Sequence, residues 1–111
     1  MAYDEELAAR IRRLLGDEPA VEEKRMFGGL AFLVRGNMAV GASGWGGILV
    51  RVDPAESERL VASTGAYPME MRGREMRGWL RVDAEDVASD SELAAWVARG
   101  TEYARTLPAK A

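Results

Sequence analysis

The sequence holds no histidine and no cysteine in 111 residues. These two absences remove the general base of most hydrolases, the thiolate nucleophile, the usual zinc ligands and any disulfide. Lysine is scarce as well, since thirteen arginines stand against Lys24 and Lys110 alone; host codon composition accounts for such a skew as readily as function does. No long apolar run exists. Stretches such as Leu30 to Val34 are far too short to span a bilayer. The chain opens Met-Ala-Tyr-Asp-Glu-Glu, with neither a basic n-region nor an apolar h-region, so no secretory signal is expected. A cytoplasmic protein without membrane contact is the expectation. A net charge of −3 argues against duplex DNA as the main partner, because neutralising phosphates needs a basic face, although a local basic patch remains open.

What is present suffices for one core. Hydrophobic residues make up 48% of the chain and charged residues 30%, which fits a single globular domain over 1–111 that folds without metal or disulfide. Leu7, Ile11, Leu14 and Leu15 recur at helical spacing. Asp4 stands at the N-cap, Glu5 and Glu6 at the positive end of the dipole, and Gly16 and Pro19 beyond the last turn. Short strand-like runs then alternate with glycine. Val21–Met26 is polar enough for an edge strand. After a turn or bulge at Phe27-Gly28-Gly29, Leu30–Arg35 places Leu30, Phe32 and Val34 on one face. Gly36-Asn37 supplies a tight hairpin to Met38–Ala42, and Ile48, Val50 and Val52 alternate after the glycine-rich Gly41–Gly47.

Asp53, Pro54 and Glu56 form a helix start, with the helix running to about Thr64 and Gly65. An irregular segment around Pro68 leads to a strand over Arg74–Asp83. Strict alternation along it puts Met76, Leu80 and Val82 on one face and Arg77, Trp79 and Arg81 on the other. Ser89 with Glu92 begins a C-terminal helix whose apolar stripe includes Leu93, Trp96, Val97 and Gly100 and which stops at Pro108. The order α-β-β-β(-β)-α-β-α describes a two-layer α+β domain, an antiparallel sheet with flanking helices.

Few constellations carry chemistry. Gly41–Gly47 superficially resembles a phosphate-binding loop, but a strand rather than a helix follows it and no Gly-Lys-Ser/Thr ending is present, so it reads as a hairpin loop. Ser43 lacks both the second glycine of a nucleophile elbow and a histidine base, and nothing places Lys24 beside it as an alternative. The acidic groups Asp53, Glu56 and Glu58, and Asp83, Glu85 and Asp86, lack calcium-loop spacing and fit helix starts instead. No catalytic residue, metal ligand or cofactor site is therefore expected. The remaining candidates are binding residues: Arg77, Trp79 and Arg81 on one strand face, Arg72 and Arg74 nearby, and Trp45 at a loop tip. Basic groups interleaved with an indole suit single-stranded nucleic acid or an acidic peptide. The structural alternative is a cation–π ladder on a solvated sheet face, with Glu70 and Glu75 as ion partners. The same face also suits a homodimer contact.

The run Lys24-Arg-Met-Phe-Gly-Gly-Leu-Ala-Phe-Leu-Val-Arg-Gly-Asn-Met38 resembles the opening signature of the TfoX (Sxy) N-terminal domain family. The runs Pro68-Met-Glu-Met-Arg-Gly-Arg-Glu-Met-Arg-Gly-Trp-Leu-Arg-Val-Asp83 and Leu93-Ala-Ala-Trp-Val97, with the tail Ala104-Arg-Thr-Leu-Pro108, are similar to it as well. The resemblance implies a fold like secretion-chaperone α+β domains, often oligomeric, and no established catalytic residues. Full-length members act as coactivators of competence genes alongside the cyclic-AMP receptor protein. Two departures limit what carries over. Their C-terminal helical domain is not expected here, since the sequence runs only to Ala111, and Ala39 and Val40 stand where many short members have cysteine. The expectation is a non-enzymatic interaction or accessory regulatory domain, binding a protein or a second copy of itself. Single-stranded nucleic-acid binding through the arginine–tryptophan face is the alternative.

Overall fold

A computed structural model describes residues 3–26 and 28–109; Phe27 of the expected turn lies outside the described residues. Three helices, α1 (Glu5–Leu14), α2 (Ser57–Ser63) and α3 (Asp90–Thr106), accompany six strands. The strands are β1 (Val21–Met26), β2 (Gly29–Val34), β3 (Asn37–Ala42), β4 (Ile48–Arg51), β5 (Tyr67–Met71) and β6 (Arg74–Val82). They form one sheet in the order β1-β2-β3-β4-β6-β5, antiparallel at every step. This is the α+β architecture expected from the alternation of periods.

The helix starts follow their local chemistry. Asp4 Oδ1 accepts from the backbone N–H groups of Glu6 and Leu7 at 3.0 and 3.1 Å, and Ser89 Oγ accepts from that of Glu92 at 3.2 Å while donating to its carboxylate at 2.9 Å. Asp53 accepts from the N–H of Ala55 at 2.9 Å, but the segment it starts is a 3₁₀ turn, Pro54–Glu56, that feeds α2. Asp83 makes no cap; its carboxylate takes the Tyr67 hydroxyl instead, at 2.7 Å.

The helices pack on one sheet face only. Leu7 and Ile11 of α1, Leu60 of α2, and Leu93, Trp96 and Val97 of α3 share a core cluster with Phe32, Val50 and Leu80. Trp96 is thus core, as its place on the apolar stripe predicts. The opposite face carries a second, smaller cluster made of strand residues alone: Ala31, Met38, Leu49 and Met69, with Met26, Leu33 and Trp79 against it.

Three local readings change. The turn joining β2 and β3 is Arg35-Gly36, with φ of 54° and 83°, rather than Gly36-Asn37. Asn37 is instead a buried strand residue whose amide donates to the Pro108 carbonyl at 2.9 Å. The segment around Pro68 is the edge strand β5, where a proline costs no ladder bond if its nitrogen faces outward. The third change concerns β6. Leu80 pairs with Pro68, yet Met76 pairs with the very next residue, Met69, so Arg77, Gly78 and Trp79 bulge out of the ladder. Gly78 sits at φ +84°, which L side chains rarely adopt. Paired residues share a face, so Met76 joins Met69 on the helix-free side while Leu80 and Val82 stay in the main core. The alternation expected across Arg74–Asp83 therefore fails at the bulge, and Arg77 parts from Trp79 and Arg81.

Candidate binding face of the sheet

The helix-free face is built from small residues at its centre and long ones around them. Ala31 and Gly41 are its floor, and a Cβ at position 41 would lie 3.2 Å from the Met38 Cε methyl, which occupies that space. Every described methionine belongs to this face. Met26, Met38 and Met69 pack in its cluster, Met76 pairs with Met69, and Met71 lies two residues further along β5. Unbranched thioethers fill an irregular floor with little strain and can repack against a partner.

Met26 on β1 and Met69 on β5 line one cleft together with Met38, Leu49, Trp45 and Arg81. A flat sheet would hold those outer strands about 24 Å apart, so this sheet curls toward its helix-free side. The space left is about 10 Å³, room for one water at most. The cleft is nearly filled by these side chains, and Arg81 and Ser43 are among the polar residues that line it.

Arg81 organises the rim of this face. It pairs across the ladder with Leu49 on one side and Tyr67 on the other. Its guanidinium carbon lies 4.3 Å from the centroid of the Trp45 ring and 5.9 Å from that of Tyr67. Trp45 is 72% exposed. Its loop is held by the Ser43 N–H to the Gly47 carbonyl at 2.9 Å, and by the Trp45 N–H to Ser43 Oγ at 3.1 Å. Ser43 is thereby a buried loop-closing residue. The indole is thus presented on a braced loop beneath a cation rather than on a loose tip, and an exposed contact of this kind contributes about 0.5–1 kcal/mol.

Tyr67 completes the group. Its hydrogen bond to Asp83 raises the phenol above its ordinary value, with burial and the carboxylate's charge adding and Arg81 opposing. The hydroxyl therefore stays protonated and remains a donor. One strand end away, Arg51 lies 5.0 Å from the Trp79 ring, its cross-strand partner, and 5.7 Å from the Tyr103 ring of α3.

The six residues singled out from the sequence are thus divided. Trp45, Trp79 and Arg81 lie on the helix-free side, and Arg74, paired with Met71, lies there at the hairpin tip. Arg72 occupies the turn itself, at φ 55°. Arg77 goes to the other side, where its guanidinium donates to the Pro54 carbonyl at 3.3 Å. Arg51, Tyr67, Met26 and Met69 belong to the same surface and were not singled out. The alternation of Tyr67, Met69 and Met71 was the available signal, and Pro68 obscured it.

Among the described residues no group of three or more carboxylates, histidines or cysteines could hold a metal ion. No described helix is long and apolar enough to cross a membrane. A comparison with curated proteins finds no significant match. The family model for the TfoX N-terminal domain matches residues 13–104, which takes in the whole sheet, the Trp45 loop and most of α3. With that match over most of its length, the chain belongs to the TfoX N-terminal domain family.

Proposed function

We propose that this chain is a non-catalytic interaction domain that works in the cytoplasm as an accessory to a partner protein, through the rim of its helix-free sheet face. The observation that carries the reading is Trp45, a large apolar ring left 72% exposed while Arg81 and the Ser43 hydroxyl hold its loop in place. Tryptophan and arginine are the side chains most often found where binding energy concentrates. Family membership adds that a transcriptional regulator, including one controlling competence, is a partner class to look for.

Retention tests this directly. The purified chain and its Trp45→Ala variant are immobilised, matched for thermal stability, and exposed to an extract of the native host. A protein should be retained by the first and lost from the second. Equal retention by both would move the contact surface elsewhere. Nucleic-acid binding has less support, because its expected row of arginines is interrupted at Gly78 and Trp79 is half-buried.

A further inference from the structure

We infer that the helix-free rim receives an acidic peptide segment of a different protein, anchored by one or more large apolar side chains. This rests on the reading of that rim as the interaction surface and adds the chemistry of its occupant.

Charge is distributed unevenly over the fold. Lys24, Arg51, Arg74 and Arg81 face or border the helix-free side, against Glu22 and Asp83. That is a net +2 on a chain whose total is −3, so the remainder carries −5. The ion pairs follow the same division. Arg10 with Asp90, Arg12 with Glu23, Arg59 with Glu56 and Arg105 with Glu18 all involve the helices or the segments joined to them. Among the described residues none of the four cations on the helix-free side is ion-paired, and Asp83 is occupied by Tyr67.

Arg81 is the best placed of the four. Its guanidinium carbon sits over the Trp45 ring, and it donates no hydrogen bond to any described residue. Its N–H edges are therefore left for a carboxylate, which a guanidinium can take bidentately without leaving the ring. Beside it Trp45, Tyr67 and Met71, at 72%, 39% and 36% exposure, offer apolar contact for an anchoring side chain.

Two other occupants fit less well. A second copy docking by the same face would bring two net-positive surfaces together, a like-charge contact that disfavours association. A nucleic-acid strand needs successive exposed rings for its bases, whereas here Trp79 is half-buried against the cluster of Met38, Leu49 and Met69.

The test is selection from random peptides displayed on phage against the full chain. Enriched peptides should be acidic and carry an aromatic or large aliphatic residue. Their synthetic forms should bind in fluorescence polarisation, weakening roughly tenfold or more with Arg81→Glu and with Trp45→Ala, and weakening with added salt. If Arg81→Glu fails to fold, Lys24→Glu combined with Arg74→Glu, both at exposed positions, serves in its place. No enrichment, neutral or basic winners, or unchanged binding to the charge-reversed chain would overturn the inference. So would binding of labelled oligothymidylate that Trp45→Ala abolishes, or a dimer mass in solution that the same substitution returns to monomer. If host protein is still retained through Trp45 while acidic peptides fail, only the partner's chemistry is wrong. If retention fails too, the interaction face itself falls.

Discussion

Gly100 lies in the middle of α3, where an alanine would ordinarily stabilise the helix by about 0.8–1.0 kcal/mol. Packing points the other way. A Cβ there would meet the Ala39 carbonyl oxygen at 2.3 Å, its carbon at 3.0 Å and a Val50 methyl at 3.1 Å. A carbon–oxygen contact needs about 3.3 Å, so α3 and β3 must separate by roughly 1 Å. Trp96, Val97, Thr101 and Ala104 are buried by the same helix, and all would shift with it. Overpacking costs about 1–3 kcal/mol. The closest obstacles are backbone and cannot change rotamer, so the upper end applies. Subtracting the propensity gain leaves Gly100→Ala about 2 kcal/mol less stable than the natural chain. At roughly 4 °C per kcal/mol for a domain of this length, its melting temperature falls by about 8 °C. Ala98→Gly, exposed on the same helix, isolates the propensity effect and should cost about 1 kcal/mol. Urea denaturation followed by tryptophan fluorescence and far-ultraviolet circular dichroism measures both. A Gly100→Ala variant as stable as the natural chain, or more so, would refute the close seating of α3 on Ala39.

Other outcomes follow from single contacts. Asn37→Ala removes the donor to Pro108 and should cost about 1–2 kcal/mol, with faster amide exchange near the end of α3; unchanged exchange would mean the tail is held otherwise. Tyr67 titrates above the usual phenol range because of Asp83, so Asp83→Asn should bring it down, read as tyrosinate absorbance against a Tyr67→Phe reference. Because the folded value is raised, this contribution to stability is complete below the ordinary phenol pKa and is lost as pH rises through the raised one. The Glu18 carboxyl is held below its ordinary range chiefly by the hydrogen bond from Arg105, despite an opposing effect of burial. Its contribution is complete above the usual glutamate range and is lost as pH falls through the lowered value. Glu18→Gln should therefore reduce the drop in urea midpoint between neutral and acidic pH, and an undiminished drop would assign acid sensitivity to other groups.

Helix starts were legible in the sequence because caps are local. Asp4, Asp53 and Ser89 each bond an N–H two or three residues away, a relation that spacing alone specifies. The Arg35-Gly36 turn was placed one residue late because Gly and Asn both suit positive φ, and only the pairing of Val34 with Asn37 decides between them. The edge strand β5 escaped notice because Pro68 opposes strand structure except at an edge, and which strand is an edge is a property of the sheet.

By itself the sequence determined what chemistry is absent, through its lack of histidine and cysteine, and it determined the α+β order through hydrophobic period and caps. Tertiary structure decided the candidate face. Whether Arg77 joins Trp79 depends on a bulge that appears only when β5 and β6 pair. Whether Trp45 meets Arg81 depends on bringing together residues separated by two strands and a helix. Alternation within one strand is short-range information. The face a side chain takes, and the neighbours it finds there, are set by register between strands distant in the chain.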